Sequence, residues 1–307
     1  MTAMLTEAEF ERASGPLSSR SDFTDALRVA LAAERGFACG KLGGSERAWL
    51  SHPPRIETME GLSRRALELS LANLSLRHSG IWPTDLDSLL AFCEVFRGAV
   101  CELDAIGLFG DAFASELAIV EEVRPPGMLM RCQDQEPIRQ RGALAEGCWL
   151  ELLRGRRVLV VCPFADFLRD RARADVYEAA WSSAGKRWFE PKSVSSIELP
   201  YGFDPATQAR YGSALELLDD VARRIDELHF DVALIGAGGL GIPLAAHVKG
   251  TGRVGLSLGG HLQVMFGVSG ERWQGKPEWR DGIINDAWAR LPERYRPDPS
   301  WTAEDYW

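Results

Sequence analysis

Apolar positions along this chain change their spacing from stretch to stretch, and the changes mark out its elements. Residues 1–35 carry helical spacing, with Ser21 as an N-cap candidate for the segment 21–33. Residues 37–42 form a short apolar run of the kind a buried strand makes. It meets Gly43-Gly44-Ser45-Glu46, a tight turn that opens a helix. Helical spacing returns at 62–76 and at 85–96, the second introduced by Pro83, Thr84 and Asp85. Residues 99–103 read as a second strand, 111–121 as a short helix, 128–131 as a third strand and 135–153 as a helix.

From residue 157 the pattern becomes a regular alternation. Strands are expected at 157–162, at 187–190 or 194–199, at 231–235 and at 253–258. Helices are expected at 164–183, 206–228, 240–249 and 260–266. Continuous apolar strands alternating with helices predict an α/β protein with a Rossmann-like, doubly wound, mostly parallel sheet flanked by helices, plus extra helical elements at the N-terminus. The expected organisation is one compact unit of three parts. Residues 1–150 form an α/β part with extra helices, 151–270 the Rossmann-like half, and 271–307 a wrap anchored by Trp273, Trp279, Trp288, Trp301 and Trp307.

The candidate chemistry gathers where strands meet glycines. Gly236, Gly238, Gly239 and Gly241 follow the strand 231–235 and precede a helix, an arrangement that turns backbone N–H groups and a helix N-terminus toward an anion. Their spacing contains Gly-x-Gly-x-x-Gly. A dinucleotide site also needs an acidic residue about 20 positions on, and the next strand, Arg253-Val-Gly-Leu-Ser-Leu258, has none, which disfavours an NAD- or FAD-dependent oxidoreductase. A second unit places Gly259, Gly260, His261 and Gln263 at the end of that strand, where open α/β sheets bind their ligands.

Other candidates are Lys41, Gly43, Gly44 and Glu46 in the first strand–turn unit, and Lys192 and Ser193 ahead of the strand 194–199. Leu199-Pro-Tyr-Gly-Phe203 offers a rigid aromatic loop. Glu46 could cap its helix, ligate a metal or act as a general base, and Asp166, after the strand 157–162, could act as a base or merely cap a helix. Lys249 sits at the far end of the helix 240–249, where dipole compensation competes with a phosphate contact.

Composition narrows the partners. At 307 residues, 46% hydrophobic and 26% charged, the chain can bury a large core, and a formal charge of -9 argues against non-specific nucleic-acid or anionic-membrane binding. No stretch is long and apolar enough to span a bilayer and the N-terminus does not read as a signal peptide, so a cytoplasmic location is expected. Six scattered cysteines read as buried free thiols, and five dispersed histidines do not make a zinc site by spacing.

Together, Gly236-Ala-Gly-Gly-Leu-Gly-Ile-Pro-Leu-Ala245, Lys249, Gly252-Arg253, Leu258-Gly-Gly-His-Leu-Gln-Val-Met-Phe-Gly267, Gly270-Glu-Arg-Trp273 and Tyr306-Trp307 resemble the bacterial glycosyltransferases of the GT-D type and their uncharacterised relatives. Leu153-Arg-Gly-Arg-Arg-Val-Leu-Val-Val-Cys-Pro-Phe164 and Lys41-Leu-Gly-Gly-Ser-Glu46 add to the likeness. The resemblance implies a GT-D-like fold in which 151–270 is the nucleotide-binding half. It implies transfer of a sugar from a nucleoside diphosphate sugar to an acceptor, with Mn²⁺ or Mg²⁺ as the expected metal. Glu46, His261 and Asp166 are then the base candidates, Glu46 the metal ligand, and Lys41, Lys192, Ser193, Lys249, Gln263 and the glycines the donor-binding residues. In that family the segment 41–46 carries Asp-x-Glu; here Gly44 stands at the aspartate position and Glu46 remains. A non-catalytic nucleotide- or sugar-phosphate-binding protein of a biosynthetic complex is the alternative. A homodimer is the default assembly.

Overall fold

A computed structural model describes residues 6–110, 113–135 and 149–302. Seven strands, β1 Phe37–Lys41, β2 Ala105–Leu108, β3 Met128–Arg131, β4 Arg157–Cys162, β5 Ser193–Glu198, β6 Val232–Ile235 and β7 Val254–Ser257, form one sheet in the order β3-β2-β1-β7-β6-β4-β5. Every pairing in it is parallel. The chain builds outward from β1 to β3, crosses to β4, adds β5 at the far edge, and then fills inward through β6 until β7 closes against β1, with Phe37 opposite Val254 and Cys39 opposite Leu256. The β1–β7 junction is therefore where the first three strands meet the last four. A further two-stranded parallel pair, β8 Val268–Ser269 and β9 Ala289–Arg290, lies outside this sheet.

Alternation along each strand splits the core into two layers. In β4, Leu159 and Val161 face one layer, and Val158, Val160 and Cys162 face the other. The first layer takes the buried faces of the helices Gly44–Thr58, Leu86–Cys101, Ala214–Asp226 and Gly241–Gly250. The second takes those of Arg20–Ala32, Ala165–Arg171 and Ala174–Ala180, together with Trp273, Trp279 and Trp288. The helix Ala214–Asp226 shows why such segments dock: Ala214, Leu217, Leu218, Val221 and Ile225 are buried at a spacing of three and four.

The α/β class and the parallel sheet are as expected, and several boundaries are corrected. Residues 99–103 are not a strand. Ala99 and Val100 continue the apolar stripe of Leu89, Phe92, Cys93 and Phe96, so the helix runs on to Cys101 and β2 starts at Ala105. The N-cap is Ser19 and not Ser21, and it forms a capping box with Asp22. The strand in the middle region is the 194–199 alternative, at Ser193–Glu198. The expected helices 164–183 and 206–228 are each split in two; the second break falls at Gly212, with Ser213 capping the new helix. Most of the expected helix 135–153 lies outside the described residues, and 149–153 form a 3-10 turn. Trp273, Trp279 and Trp288 are buried as the anchoring role requires, Trp301 is half-buried, and Trp307 lies outside the described residues. Among the described residues no helix is long and apolar enough to cross a membrane.

Candidate functional site

Because all seven strands run in parallel, their carboxyl ends share one edge of the sheet, and a cavity of about 570 Å³ opens there. Its lining includes residues that follow β1 (Gly43, Gly44 and Glu46), β4 (Pro163 and Phe164), β5 (Leu199 to Phe203), β6 (Gly236 and Gly238) and β7 (Gly259 and Gly260). It straddles the β1–β7 junction at the carboxyl edge, the edge at which open α/β sheets bind ligands. The segment His78–Gly80 contributes to a further wall.

Lys41, the last residue of β1, reaches across the junction, and its Nζ lies 2.8 Å from Nδ1 of His261 in the turn after β7. Glu46 belongs to the first turn of the helix Gly44–Thr58. Its carboxylate curls back so that Oε2 lies 2.8 Å from where a Cβ on Gly43 would stand. Arg47, next to it, donates to Oε1 of Glu116 at 3.1 Å. Glu116 is fully buried and also accepts from the backbone N–H groups of Phe109 and Gly110 at 2.9 and 3.2 Å. This carboxylate ties Arg47 to the loop that follows β2.

Charge is distributed unevenly. Among the described residues lining the cavity are four cations, Lys41, Arg47, Arg272 and Lys276, and one carboxylate, Glu46, in a chain whose formal charge is -9. The remainder of the lining is largely apolar: Phe164, Leu199, Pro200, Tyr201 and Phe203 form one side, and the rings of Tyr201 and Phe203 stack at 5.0 Å. Burial pushes the Cys162 thiol and the Tyr201 hydroxyl well above their ordinary ranges, and Tyr201 donates to the carbonyl of Tyr295. Both groups are therefore neutral lining and not nucleophiles near pH 7. Away from the cavity, burial raises the thiols of Cys39 and Cys93 to about 12, as expected of buried free cysteines. Cys148 lies outside the described residues.

The cavity brings together Lys41, Gly43, Gly44, Glu46, Gly236, Gly238, Gly259, Gly260, His261 and Gln263. Six other candidates do not join them. Gly239 and Gly241 are buried in packing: a Cβ on Gly239 would stand 2.7 Å from Ile81 and Trp49, and one on Gly241 2.6 Å from Ser257 Oγ. Lys192 and Ser193 lie at the start of β5, on the amino edge of the sheet, where Lys192 N–H donates to Arg156. Lys249 occupies that same edge, donating to the Glu102 carbonyl at 2.6 Å and pairing with Asp104 at 3.0 Å. Asp166 is also outside the lining; its carboxylate accepts from Ser196 at 2.6 Å and Arg169 at 2.9 Å.

The expected N–H cradle is also partly spent. Gly236 N–H pairs with Val161, Leu240 N–H with Ala237, Gly241 N–H with Gly238, and His261 and Leu262 N–H with Leu258 and Gly259. Those N–H groups are engaged within the loops and the adjoining sheet. The sequence reading missed Arg47 and Lys276 and quoted Arg272 only within Gly270-Glu-Arg-Trp273, without a role. It could have marked Arg47, which shares the first turn of a helix with Glu46.

The described lining does not by itself make a site for a resident Mg²⁺ or Mn²⁺. Such an ion takes several hard oxygen ligands, whereas Glu46 is the one carboxylate of the described lining and Lys41 and Arg47 share that lining. Among the described residues no group of three or more His, Cys, Asp or Glu side chains is placed to hold a metal.

No protein-family model matches the chain, and no curated protein matches it. One solved structure that matches is described by the words "The highly conserved domain of unknown function 1792 has a distinct glycosyltransferase fold". The identity is 13%, the alignment covers 78% of this chain and 83% of that one, and the TM-score is 0.36, too low to establish a shared fold.

Proposed function

We propose that the chain binds a nucleoside diphosphate sugar in the carboxyl-edge crevice and transfers the sugar to an acceptor hydroxyl. The observation that carries this reading is the pairing of four cations with an aromatic and apolar wall in one cavity of an acidic chain. A nucleotide sugar has matching parts: a diphosphate for Lys41, Arg47, Arg272 and Lys276, and a base and ribose for the wall of Phe164, Tyr201 and Phe203. The sequence resemblance to GT-D glycosyltransferases points the same way.

In the reaction the acceptor oxygen forms a bond to the anomeric carbon as the bond to the diphosphate oxygen breaks. The departing diphosphate carries the electron pair away and needs positive charge, which the lysines and arginines supply in place of a metal. The acceptor's proton goes to Glu46, the carboxylate nearest this chemistry once Asp166 is set aside. Calorimetric titration with UDP- and GDP-sugars, with and without Mn²⁺, tests binding, and a sugar-nucleotide hydrolysis assay tests turnover. Glu46→Gln should retain nucleotide affinity and lose roughly a hundredfold or more in turnover. If both were unchanged, Glu46 would not be the base.

The Gly44 substitution favours a second reading, a protein that binds the nucleotide without catalysis. Tight binding with no turnover across plausible acceptors would select it.

A further inference from the structure

β7 carries one polar side chain, and it stands at the end that meets the crevice. Of Val254, Gly255, Leu256 and Ser257, the first and third point into the second layer. The other two positions point the opposite way, toward the helix Gly241–Gly250. That helix lies so close that a Cβ on Gly255 would stand 2.6 Å from the Ala245 carbonyl oxygen. One pleat further on, the small residue is on the helix instead: a Cβ on Gly241 would stand 2.6 Å from Ser257 Oγ. The strand has room for a hydroxyl there because the helix has no side chain.

Ser257 is 8% exposed, and it lines the cavity together with Leu240 and Ile242 at the start of that helix. Its backbone belongs to the β6–β7 ladder, opposite Ile235. Its hydroxyl has no hydrogen-bond partner among the described residues. Buried hydroxyls as a rule are paired, and one turned to a cavity is placed to pair with what the cavity binds.

The helix sets the charge of that partner. The amino end of a helix of ten residues carries partial positive charge and favours an anion. Pro243, its third residue, has no N–H, and the Gly241 N–H is taken by the Gly238 carbonyl. This end is therefore short of backbone donors, and the Ser257 O–H supplies one against it. A hydroxyl bonds more strongly to an ionised oxygen than to a neutral one.

We infer that Ser257 is a phosphate contact, its O–H donating to a diphosphate oxygen of the ligand at the amino end of the helix Gly241–Gly250. The inference rests on the diphosphate part of the proposed function and does not require transfer.

Calorimetry with inorganic pyrophosphate as the probe reads the contact in the full chain. Ser257→Ala should weaken pyrophosphate binding by roughly tenfold. Ser257→Cys keeps a side chain of similar shape whose S–H is a weak donor, so it should lose affinity as alanine does. Comparable thermal melting of the parent and both variants removes misfolding as a cause.

Pyrophosphate affinity unchanged in Ser257→Ala would overturn the inference and leave the nucleotide-sugar reading in place. So would parental affinity in Ser257→Cys beside a loss in Ser257→Ala, because volume and not the hydroxyl would then matter. A parent that binds no pyrophosphate would overturn the contact together with the diphosphate reading. Loss of affinity in both variants, with no transfer from any nucleotide sugar, would remove the transferase reading and leave this inference standing.

Discussion

Lys41 and Lys249 lie near opposite edges of one sheet and have different work. Lys41 ends β1 at the carboxyl edge, beside His261 in the cavity. Lys249 lies at the amino edge, tied to Asp104 and the Glu102 carbonyl. A five-residue strand sets its two ends roughly 13 Å apart, too far for both lysines to hold the same phosphate. The difference extends to the whole sheet. At the amino edge the charges considered are paired with each other, Lys249 with Asp104 and Arg157 with Asp231. At the carboxyl edge, four cations and one carboxylate line a cavity among the described residues. Paired charges hold the fold at the amino edge, and on the proposed function the positive lining of the carboxyl edge attracts the ligand.

The largest effect is expected where that division is weakest, at Glu116. This fully buried carboxylate stands at the carboxyl edge but is bound to Arg47 and two backbone N–H groups. Glu116→Ala leaves those donors without their acceptor and should cost about 3–5 kcal/mol of stability, measured by urea denaturation. It should also weaken nucleotide binding by freeing Arg47 and the loop after β2. Stability within about 1 kcal/mol of the parent would show that the Glu116 network does not hold this edge.

The direct comparison comes next. Lys41→Met should weaken nucleotide affinity by tenfold or more, about 1.5–3 kcal/mol, with little change in melting temperature. Lys249→Met should leave affinity unchanged and cost about 1 kcal/mol of stability or less, because its partner Asp104 is only partly buried. Equal losses of affinity in the two variants would break the comparison.

These two lysines also show what was legible in the sequence. The parallel sheet could be read because β4, β6 and β7 are short apolar runs separated by helical spacing, and the residues after β1, β6 and β7 were picked out by their glycines. Strand direction was present too but was not applied to Lys192 and Ser193, which lie at the start of β5 and so at the amino edge. Lys249 was drawn in by its closeness in sequence to a glycine loop, although a helix of ten residues carries it away from that loop. Gly239 and Gly241 looked like part of a phosphate cradle; packing against Trp49, Ile81 and Ser257 accounts for them instead. Arg272 and Lys276 could not be read, since only the tertiary fold brings them to the residues after β1. The strand expected at 99–103 failed for another reason, because a short apolar run fits the end of a buried helix as well as a strand.

Gly44→Asp sharpens the electrostatic side of the comparison. A Cβ at Gly44 would meet nothing within 4 Å, and the position opens a helix, where an aspartate is favourable. The variant should fold as the parent does and place a second carboxylate beside Glu46. Its nucleotide affinity should rise by roughly tenfold on adding Mn²⁺. The parent, relying on lysine and arginine, should respond by less than about twofold. A parent that already requires Mn²⁺ would overturn the cation-only account of the crevice.

The smallest effect belongs to the amino edge and is read through pH. Burial alone would raise the Asp231 carboxyl, but hydrogen bonds from the Arg157 guanidinium and backbone N–H, at 2.5 and 2.7 Å, together with the guanidinium charge, hold it below its ordinary 3.8. A carboxyl depressed in the folded state favours folding at pH values above its unfolded value and loses that contribution as pH falls through the folded value. The parent should therefore be more stable than Asp231→Asn at pH 6, by less than about 2 kcal/mol. That margin should shrink as pH falls from about 5 to about 2, followed by denaturation at each pH. Nucleotide affinity in Asp231→Asn should equal that of the parent at neutral pH, because the pair lies at the edge away from the crevice. A stability margin independent of pH would mean that the Asp231 charge does not stabilise the fold, and a change in affinity would mean that the two edges are coupled through the sheet.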